Sequence, residues 1–344
     1  MQQFQINPQV ESSIEKALGF LGTSLSDSQH LARCVLQLSN YFIQHPNGKT
    51  PWDEKWAQIA YVAYYLPLNY LRNQKVIQEG NRFHFFDNVE TALDFGTGLT
   101  SAASCLLHQK SNLEFTFIER SNVPQSLAQK FILPAQTKQH WNPKSFDKQK
   151  FDLVIFSYSL TELDKIPPWA LSCDRLMIVE PSTQEDGRKL FDYREQLLGH
   201  GYQIVAPCTH QGRCPLQTES KRDWCHDRLH FDSPQWFKNI EKHLPMKNQT
   251  LTMSYLLATK KPTQSVSLNS ARTTGDLMHE KGKSRQLICR GENREFLAWL
   301  TKEGTPQEIP RGELIEIPIG IEKKSNELRV RQKINLVQDT ASKD

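Results

Sequence analysis

Apolar residues recur at helical spacing through the first 90 residues of the chain. Three segments show this pattern: 10–21, 26–44 and 52–75. In the third segment one helix face carries Ile59, Val62, Ala63, Leu66 and Tyr70. Pro67 lies inside this segment and is expected to kink or break it, because proline lacks the backbone N–H that a helix needs. The pattern predicts a helical N-terminal domain over residues 1–90.

From residue 91 the pattern changes to short strands that alternate with helices. Predicted strands cover 91–95, 114–118, 151–157, 175–180, 202–206 and 252–259, with a weaker one near 135–140. Predicted helices cover 99–109, 123–131 and 184–198. Such alternation is typical of a parallel sheet with helices on both faces. We therefore expect an α/β fold with a seven-stranded sheet over residues 91–260. A long irregular insertion, 207–250, interrupts it and is expected to be functional.

The C-terminal region, residues 261–344, reads as a small β domain. Strands are predicted at 285–289 and 314–319, with turns at Gly291, Gly304 and Gly312. Residues 260–290 hold seven Lys and Arg against Asp276 and Glu280, a net charge of +5 in 31 residues. This run predicts a basic surface; a solvated face or a flexible linker would have the same composition. The whole chain has a net charge of only +4, which gives no global argument for nucleic acid.

Composition is that of a globular protein, with 38% hydrophobic and 23% charged residues. A chain of 344 residues suits two or three domains. No apolar stretch reaches 18 residues, so no transmembrane helix and no membrane partner are expected. The first residues have neither a signal-peptide nor a transit-peptide pattern, so the expected location is the cytoplasm of a bacterial cell. The seven cysteines are not expected to form disulfides there.

A glycine loop, Asp94-Phe95-Gly96-Thr97-Gly98, stands at the end of the first predicted strand of this sheet and opens a helix. Open α/β sheets bind ligands at this edge, and glycines let a ligand approach the backbone closely. Glu119 ends the next strand, where an acidic side chain can bond both hydroxyls of a ribose. A dinucleotide motif would need a third glycine at Ser101. The alternative is a tight turn that binds nothing.

This order of strand, D-x-G-x-G, helix, strand and acid resembles the first motif of class I S-adenosylmethionine-dependent methyltransferases. The resemblance implies a Rossmann-like methyltransferase sheet that binds S-adenosylmethionine. It implies the following cofactor-binding residues: Asp94, Gly96, Thr97, Gly98, Glu119 and Ser157. Thr100 replaces a third small residue that such loops often carry. The segment after 151–157 has no N-P-P-Y motif and no cysteine nucleophile. No catalytic residue is assigned; Tyr158 and Glu162 are candidates that could equally be structural.

Three cysteines, Cys208, Cys214 and Cys225, lie within 18 residues of the insertion, among proline, glycine and histidine. Thiolates bind zinc or iron–sulfur clusters, and a closed site needs four ligands. Cys289 is a possible fourth ligand, and His210 and His226 compete for that role. The spacing C-x5-C-x10-C leaves zinc, an iron–sulfur cluster and three unrelated cysteines all open. The remaining cysteines, Cys34, Cys105 and Cys173, lie in apolar contexts and are predicted to be core residues.

The motif C-x5-C-P-L followed by D-W-C-H resembles the methyltransferase-like assembly factors of the mitochondrial small ribosomal subunit and their bacterial relatives. Y-V-A-Y-Y-L-P-L-N-Y-L at 61–71 and E-P-S-T at 180–183 extend the resemblance over most of the chain. The C-terminal part matches weakly and lacks the family's terminal W-G-D motif. The resemblance implies a 4Fe–4S cluster held by Cys208, Cys214, Cys225 and Cys289. It implies small-subunit rRNA and ribosomal proteins as partners, and a monomer when the chain is off the ribosome.

Three functions follow from these observations. The first is a small-subunit assembly or translation factor that binds rRNA, with S-adenosylmethionine and the cluster as structural or regulatory groups. The second is an active S-adenosylmethionine-dependent rRNA methyltransferase. The third is an RNA-binding protein that is stapled by zinc and has no catalytic activity. Under the first function, the cluster would link the sheet insertion to the C-terminal domain, and its binding energy would become folding energy.

Overall fold

A computed structural model describes residues 3–45, 48–163, 165–263, 266–267 and 269–337. The N-terminal region is helical, as predicted. Its helices are α1 (Pro8–Phe20), α2 (Ser28–Gln44), α3 (Lys55–Ala60) and α4 (Leu66–Arg82). Asn7 and Asp27 cap the first two, because each side chain accepts a hydrogen bond from a backbone N–H of the first turn.

The break expected at Pro67 does not occur. A π-helical turn, Tyr61–Tyr65, joins α3 to α4, so the backbone stays helical from Lys55 to Arg82. The N–H of Leu66 bonds to the carbonyl of Tyr61, five residues back. This wider turn places Pro67 in the first turn of α4, where its missing N–H costs no hydrogen bond.

The central sheet has nine strands rather than seven. They are β1 (Gln3–Phe4), β2 (Thr91–Phe95), β3 (Glu114–Ile118), β4 (Lys138–Trp141), β5 (Leu153–Ser157), β6 (Arg175–Glu180), β7 (Gln203–Ala206), β8 (Asp227–Phe231) and β9 (Thr250–Thr259). Their order is β1-β8-β9-β6-β5-β2-β3-β4, and β7 also pairs with β9. Strands β2 to β6 are mutually parallel, and β9 runs antiparallel to β6. The predicted α/β fold is confirmed, with β1 and β8 added to it.

The helices of this sheet region are α5 (Ser101–Leu107), α6 (Asn122–Leu127), α7 (Gln184–Gly199), α8 (Pro215–Thr218) and α9 (Gln235–Lys242). A second π-helical turn, Ala128–Ile132, extends α6. The insertion at 207–250 is therefore not irregular, since it contains α8, β8 and α9. Strand β8 has the sequence D-R-L-H-F, with Asp227, Leu229 and Phe231 buried and the residues between them partly exposed.

One hydrophobic core joins the N-terminal helices to the sheet. It contains Ile14 of α1, Leu31 of α2 and Ile77 of α4 together with Phe115 and Ile155 of the sheet. The buried strand β5 contributes to both faces, because its first four residues are all buried. The helices therefore cover one face of the sheet, and where the chain divides into domains stays a prediction.

A second, mainly antiparallel sheet forms the C-terminal region. Its strands are β10 (Ser270–Thr273), β11 (Met278–Glu280), β12 (Lys283–Cys289), β13 (Glu295–Leu300), β14 (Leu314–Glu316), β15 (Glu322–Lys324), β16 (Glu327–Arg329) and β17 (Asn335–Leu336). Their order is β15-β16-β13-β12-β10-β14-β17, with β11 paired to β12. This confirms a β-rich C-terminal part. Of the two predicted strands, 285–289 lies within β12, and 314–319 is shortened to β14.

The basic run at 260–290 is not a free basic surface, because acidic or carbonyl groups from elsewhere in the chain contact most of it. The pairs are Lys260 with the carbonyl of Leu171, Lys261 with Asp174, Arg272 with Glu79, Lys283 with Glu327, Arg285 with Glu280, and Arg290 with Glu295. Five of these six partners lie outside the window in which the charge was counted. The run as a whole therefore does not form the predicted basic surface.

Arg272 joins three parts of the chain at one buried point. Its Nε donates to the carbonyl of Pro207 and its Nη1 to the carbonyl of Gly312, each at 2.6 Å. Its Nη2 donates to Oε1 of Glu79 in α4, also at 2.6 Å. The side chains of Arg272 and Glu79 are only 3% and 2% exposed. Burial favours the neutral form of Glu79, but Arg272, Arg82 and Lys75 outweigh it and lower the pKa to about 2.

Replacing Glu79 with leucine should destabilise the protein strongly, since Arg272 would keep a buried charge without its carboxylate. We expect a loss of about 3–5 kcal/mol in the free energy of unfolding, measured by urea denaturation. The control is Glu185→Leu, which breaks an exposed pair with Lys189 and should change stability by less than about 1 kcal/mol. Equal effects of the two changes would contradict the structural role of Glu79.

Because the pKa of Glu79 falls from 4.5 to about 2 on folding, its contribution is complete above pH 4.5 and disappears as the pH falls towards 2. The difference in stability between Glu79→Leu and the unchanged protein should therefore shrink over this range.

Candidate functional site

The glycine loop follows β2 at the point where the strand order reverses, with β3 on one side and β5 on the other. Gly96 and Gly98 have φ angles of +68° and +52°, a region that favours glycine. A Cβ on Gly96 would lie 2.6 Å from Cβ of Ser159, so the loop packs tightly at that residue. A Cβ on Gly98 would lie 4.0 Å from Cζ2 of Trp52 and 4.0 Å from the hydroxyl oxygen of Tyr61, which is ordinary van der Waals distance. The loop is therefore less tightly packed at Gly98 than at Gly96.

Asp94 lies beneath this loop and is 1% exposed. Its Oδ2 accepts a hydrogen bond from Oγ1 of Thr97 at 2.7 Å, whereas its Oδ1 is buried and has no partner among the described residues. Burial, with a smaller contribution from Glu119, raises the pKa of Asp94 to about 7. An unpaired buried carboxyl oxygen costs free energy, which a ligand that donates a hydrogen bond would recover.

Glu119 reaches the loop from the residue after β3. Its Oε2 accepts a hydrogen bond from the N–H of Gly98 and its Oε1 from the N–H of Ser121, both at 3.0 Å. The carboxylate is thus held beside Gly98, with further lone pairs on each oxygen. This is the position from which it could accept hydrogen bonds from two ribose hydroxyls.

Thr100 has a φ of +55° and is fully buried. A β-branched residue in the left-handed region costs about 1–2 kcal/mol relative to glycine. Thr100 therefore adopts the left-handed conformation that favours a small residue such as glycine at this position of the loop. Its hydroxyl bonds to the carbonyl of Leu99 at 2.7 Å.

Ser157, at the end of β5, is engaged by α4. Nδ2 of Asn73 donates to its Oγ at 3.0 Å, and Ser157 is also placed to donate to Oδ1 of Asn73 at 3.2 Å. Asn73 is fully buried and was not predicted as a site residue. Its contribution could not be found from the sequence, because it depends on α4 crossing the carboxyl end of the sheet. Helix α4 thus borders the candidate cofactor site.

The two catalytic candidates have unlike environments. Tyr158 has a φ of +60°, and its hydroxyl is buried with no hydrogen-bond partner in the described part of the chain. Burial raises the pKa of this phenol, which therefore stays protonated near neutral pH. Glu162 is 59% exposed and forms an ion pair with Arg120 at 2.8 Å. Neither environment activates a general base, so no catalytic residue is assigned.

The cysteines of the insertion meet the cysteine of β12. One cavity of about 40 Å³ is lined by Cys208, Cys214, Cys225 and Cys289, together with apolar side chains and Arg194. Burial and the neighbouring thiols raise the pKa of the Cys225 and Cys289 thiols, the latter to about 12. In the described part of the chain, no group of three or more His, Cys, Asp and Glu side chains is arranged to hold a metal ion. The thiols share a cavity without being in a ligating arrangement.

Among the described residues that line the cysteine cavity there is neither His210 nor His226. His226 borders a neighbouring cavity with Asp227 and Arg272, and its Nδ1 lies 3.4 Å from Arg311. The other cysteines lie in the hydrophobic cores instead, Cys34 and Cys105 in one and Cys173 in another.

Hydrogen bonds fix the loop that carries Cys208 and Cys214. Arg194, which is 2% exposed, donates from Nε to Sγ of Cys208 at 3.4 Å. Its Nη2 donates to the carbonyls of His210 and Gly212 at 3.1 and 2.6 Å. Oγ1 of Thr209 donates to the carbonyl of Cys289 at 3.0 Å, which ties this loop to β12.

The match to a known family covers most of this architecture. A family model described as Rsm22, mitochondrial small ribosomal subunit, matches residues 55–305. The chain belongs to the Rsm22 family. The resemblance seen in the cysteine segment is thereby confirmed at the level of the family. A search of curated proteins found no match.

Solved structures of methyltransferases are similar to this member of the Rsm22 family at low identity. Precorrin-6y C5,15-methyltransferase of Geobacter metallireducens is 13% identical, with a TM-score of 0.36, over 54% of this chain and 87% of that one. The 16S rRNA methylase ArmA is 12% identical, with a TM-score of 0.34, over 64% and 97%. TrmK of M. capricolum, in complex with S-adenosylhomocysteine, is 13% identical, with a TM-score of 0.31, over 57% and 72%.

Among the helices of the described residues, none combines the length and apolar character that spanning a membrane requires.

Proposed function

We propose that this member of the Rsm22 family is an assembly or translation factor of the small ribosomal subunit. In this proposal it binds S-adenosylmethionine at the glycine loop, holds a 4Fe–4S cluster on four cysteines and contacts small-subunit rRNA. The observation that carries the proposal is the cavity shared by Cys208, Cys214, Cys225 and Cys289 in a chain of this family. Three of these cysteines come from the insertion and one from the second sheet.

The glycine loop supports the cofactor part of the proposal. S-adenosylmethionine would supply an adenosine, a charged amino acid group and a transferable methyl group. Gly98 has a positive φ, Oδ1 of Asp94 is buried without a partner among the described residues, and Glu119 is held beside the loop. In this arrangement Glu119 would bind the ribose, and Asp94, Gly96 and Thr97 would shape the loop. Ser157 would border the cofactor while Asn73 holds its hydroxyl.

The cysteine cavity supports the cluster part. Four thiols are a complete ligand set for a cluster, and an N–H that points at a ligating sulfur, as Arg194 does at Cys208, stabilises a thiolate. The apolar lining, which includes Leu190, Phe191 and Leu216, would exclude water. A bound cluster would cross-link the insertion to β12, because its iron would replace the protons of all four thiols.

Methyl transfer is not part of this proposal, because neither Tyr158 nor Glu162 is placed in an environment that activates a base.

Iron and acid-labile sulfide should both be present in protein purified without oxygen, at about four of each per chain. Cys225→Ala should remove most of this iron, since each thiolate is one of four ligands. Cys173→Ala, a buried cysteine in a different core, is the matched control and should retain it. Zinc without sulfide would support the zinc-stapled alternative instead, and protein without metal that has no visible absorption would refute the cluster.

Glu119→Ala should weaken S-adenosylmethionine binding roughly 10- to 100-fold, because hydrogen bonds to a charged group contribute about 1.5–3 kcal/mol each. Isothermal titration calorimetry measures this change. The control is Glu114→Ala at the other end of β3, where the carboxylate pairs with His140 on the surface. Unchanged affinity in Glu119→Ala would refute the assignment of the cofactor site.

A further inference from the structure

Five strands of the second sheet have the connectivity of an oligonucleotide-binding (OB) fold. Strand β10 pairs antiparallel with β12, and β12 pairs antiparallel with β13. Strand β13 then pairs parallel with β16, while β14 pairs antiparallel with the first strand, β10. With β10, β12, β13, β14 and β16 taken as strands one to five, this is the five-stranded, partly open Greek-key barrel of the OB fold. The family match ends at residue 305, so it covers the first three of these strands and not the last two.

The interior of the barrel agrees with this connectivity. Each of the five strands contributes one fully or almost fully buried apolar residue to a single cluster, namely Ala271, Ile288, Leu297, Ile315 and Leu328. The short strands β11 and β15 belong to the connections between strands one and two and between strands four and five. In OB folds, the outer face of strands two and three and these two connections form the surface that binds oligonucleotides.

The strand register defines which residues lie on that outer face. Because Leu297 points inward, its neighbours in β13 point outward. Arg285 of β12 lies opposite Ala298, which lies opposite Arg329 of β16. Lys283 lies two residues before Arg285 and so on the same face, opposite Leu300. Met278 of β11 pairs with Arg285 and is 41% exposed.

One half of this outer face is already covered. Leu287 and Phe296 pack against Phe191, Cys214 and Leu216 in the cluster beside the cysteine cavity. Within the described residues, no such cluster packs on the other half, and we call it the barrel face: Met278, Lys283, Arg285 and Arg329. The cysteine cavity thus adjoins one end of the barrel face.

The charges of the barrel face favour a polyanion. Lys283, Arg285 and Arg329 all form ion pairs with the carboxylate of Glu327, which is only 6% exposed. Glu280 also pairs with Arg285. In the register Glu322 lies opposite Arg329 and Lys324 lies opposite Glu327, so four cations face three carboxylates. The face and its edge strand β15 therefore have one surplus positive charge.

The same face offers flat surfaces to bases. The guanidinium of Arg285 lies 4.7 Å from the centre of the Phe296 ring, which holds the guanidinium plane in place. Exposed Met278 lies beside it in the register. Unpaired bases stack on such planes, whereas the bases of a duplex are already stacked on each other.

We propose that the barrel face binds single-stranded RNA, with Lys283 and Arg329 at phosphates and Arg285 and Met278 beneath bases. This inference rests on the proposed contact with small-subunit rRNA and names the surface and the form of RNA that it would recognise.

Fluorescence anisotropy of a single-stranded oligouridylate of about 12 nucleotides, titrated with the full chain purified without oxygen, tests this inference. Single strands should bind at least about tenfold more tightly than a duplex of equal length. Lys283→Met should weaken single-strand binding several-fold and reduce the slope of log affinity against log salt by about 0.7, the value for one phosphate contact. The matched control is Lys238→Met, at an exposed residue of α9, which should leave affinity and slope unchanged. Equal binding of single strand and duplex, or equal effects of the two lysine changes, would overturn the inference.

A second measurement does not depend on any variant. Photo-crosslinking of the unchanged protein to an oligonucleotide that contains 4-thiouridine should label peptides with residues 278–285 and 327–331. Crosslinks confined to other regions would refute the barrel face as the site.

Binding to purified small ribosomal subunits separates this inference from the proposed function. If the chain binds subunits but the oligonucleotide tests fail, the proposed function stands and the single-strand site does not. If Lys283→Met loses subunit binding but retains oligonucleotide binding, the face docks on ribosomal protein and the inference is wrong. If the chain binds neither, both proposals fall.

Discussion

The structure depends on a buried arginine that joins three distant parts of the chain. Arg272 of the barrel bonds to Glu79 of α4, to Pro207 at the start of the insertion and to Gly312 in a barrel connection. A buried guanidinium is tolerated only where its charge is paired and its donors have acceptors, so all three parts must be in place together. This fixes the position of the insertion against the barrel, and with it the position of Cys208 relative to Cys289.

Helix α4 extends this constraint to the other candidate site. Glu79 near its end holds Arg272, and Asn73 less than two turns earlier holds Ser157 at the carboxyl edge of the sheet. Helix α4 therefore holds both Ser157, at the edge of the sheet that carries the glycine loop, and Arg272, which positions the start of the insertion. A structural role for the cofactor and the cluster requires only that both sites are held in position, and it requires no catalytic base.

Sequence patterns predicted the central sheet well because its parallel strands are buried on both faces. Strands β2, β3 and β6 have the predicted bounds, since each is a mostly apolar segment between turns. Strand β1 was missed because it has only two residues, and β8 because it contains the polar residues Asp227, Arg228 and His230. Most barrel strands have two to four residues, too few for a period to be visible. The OB connectivity depends on which strands pair, and that is not encoded in any local pattern.

For the candidate sites too, local sequence patterns were predictable and tertiary contacts were not. The glycine loop was predictable because its residues are consecutive, whereas Asn73 depends on tertiary packing. Spacing alone left the fourth ligand open between Cys289 and two histidines, and the family resemblance selected Cys289. The basic run failed as a prediction because its partners, such as Glu79 and Glu327, lie far away in the sequence. The net charge of a sequence segment therefore does not predict a charged surface where strand pairing places acidic residues from other segments beside it.

Hydrogen exchange of the full chain, with its iron and after the iron is removed by chelation, tests most directly whether a cluster joins the insertion to the barrel. Our account predicts that exchange after iron removal accelerates in the loop from Cys208 to Cys214 and in β12, while β2, β5 and β6 in the central sheet keep their protection. Equal protection of β12 and of the insertion with and without iron would contradict it.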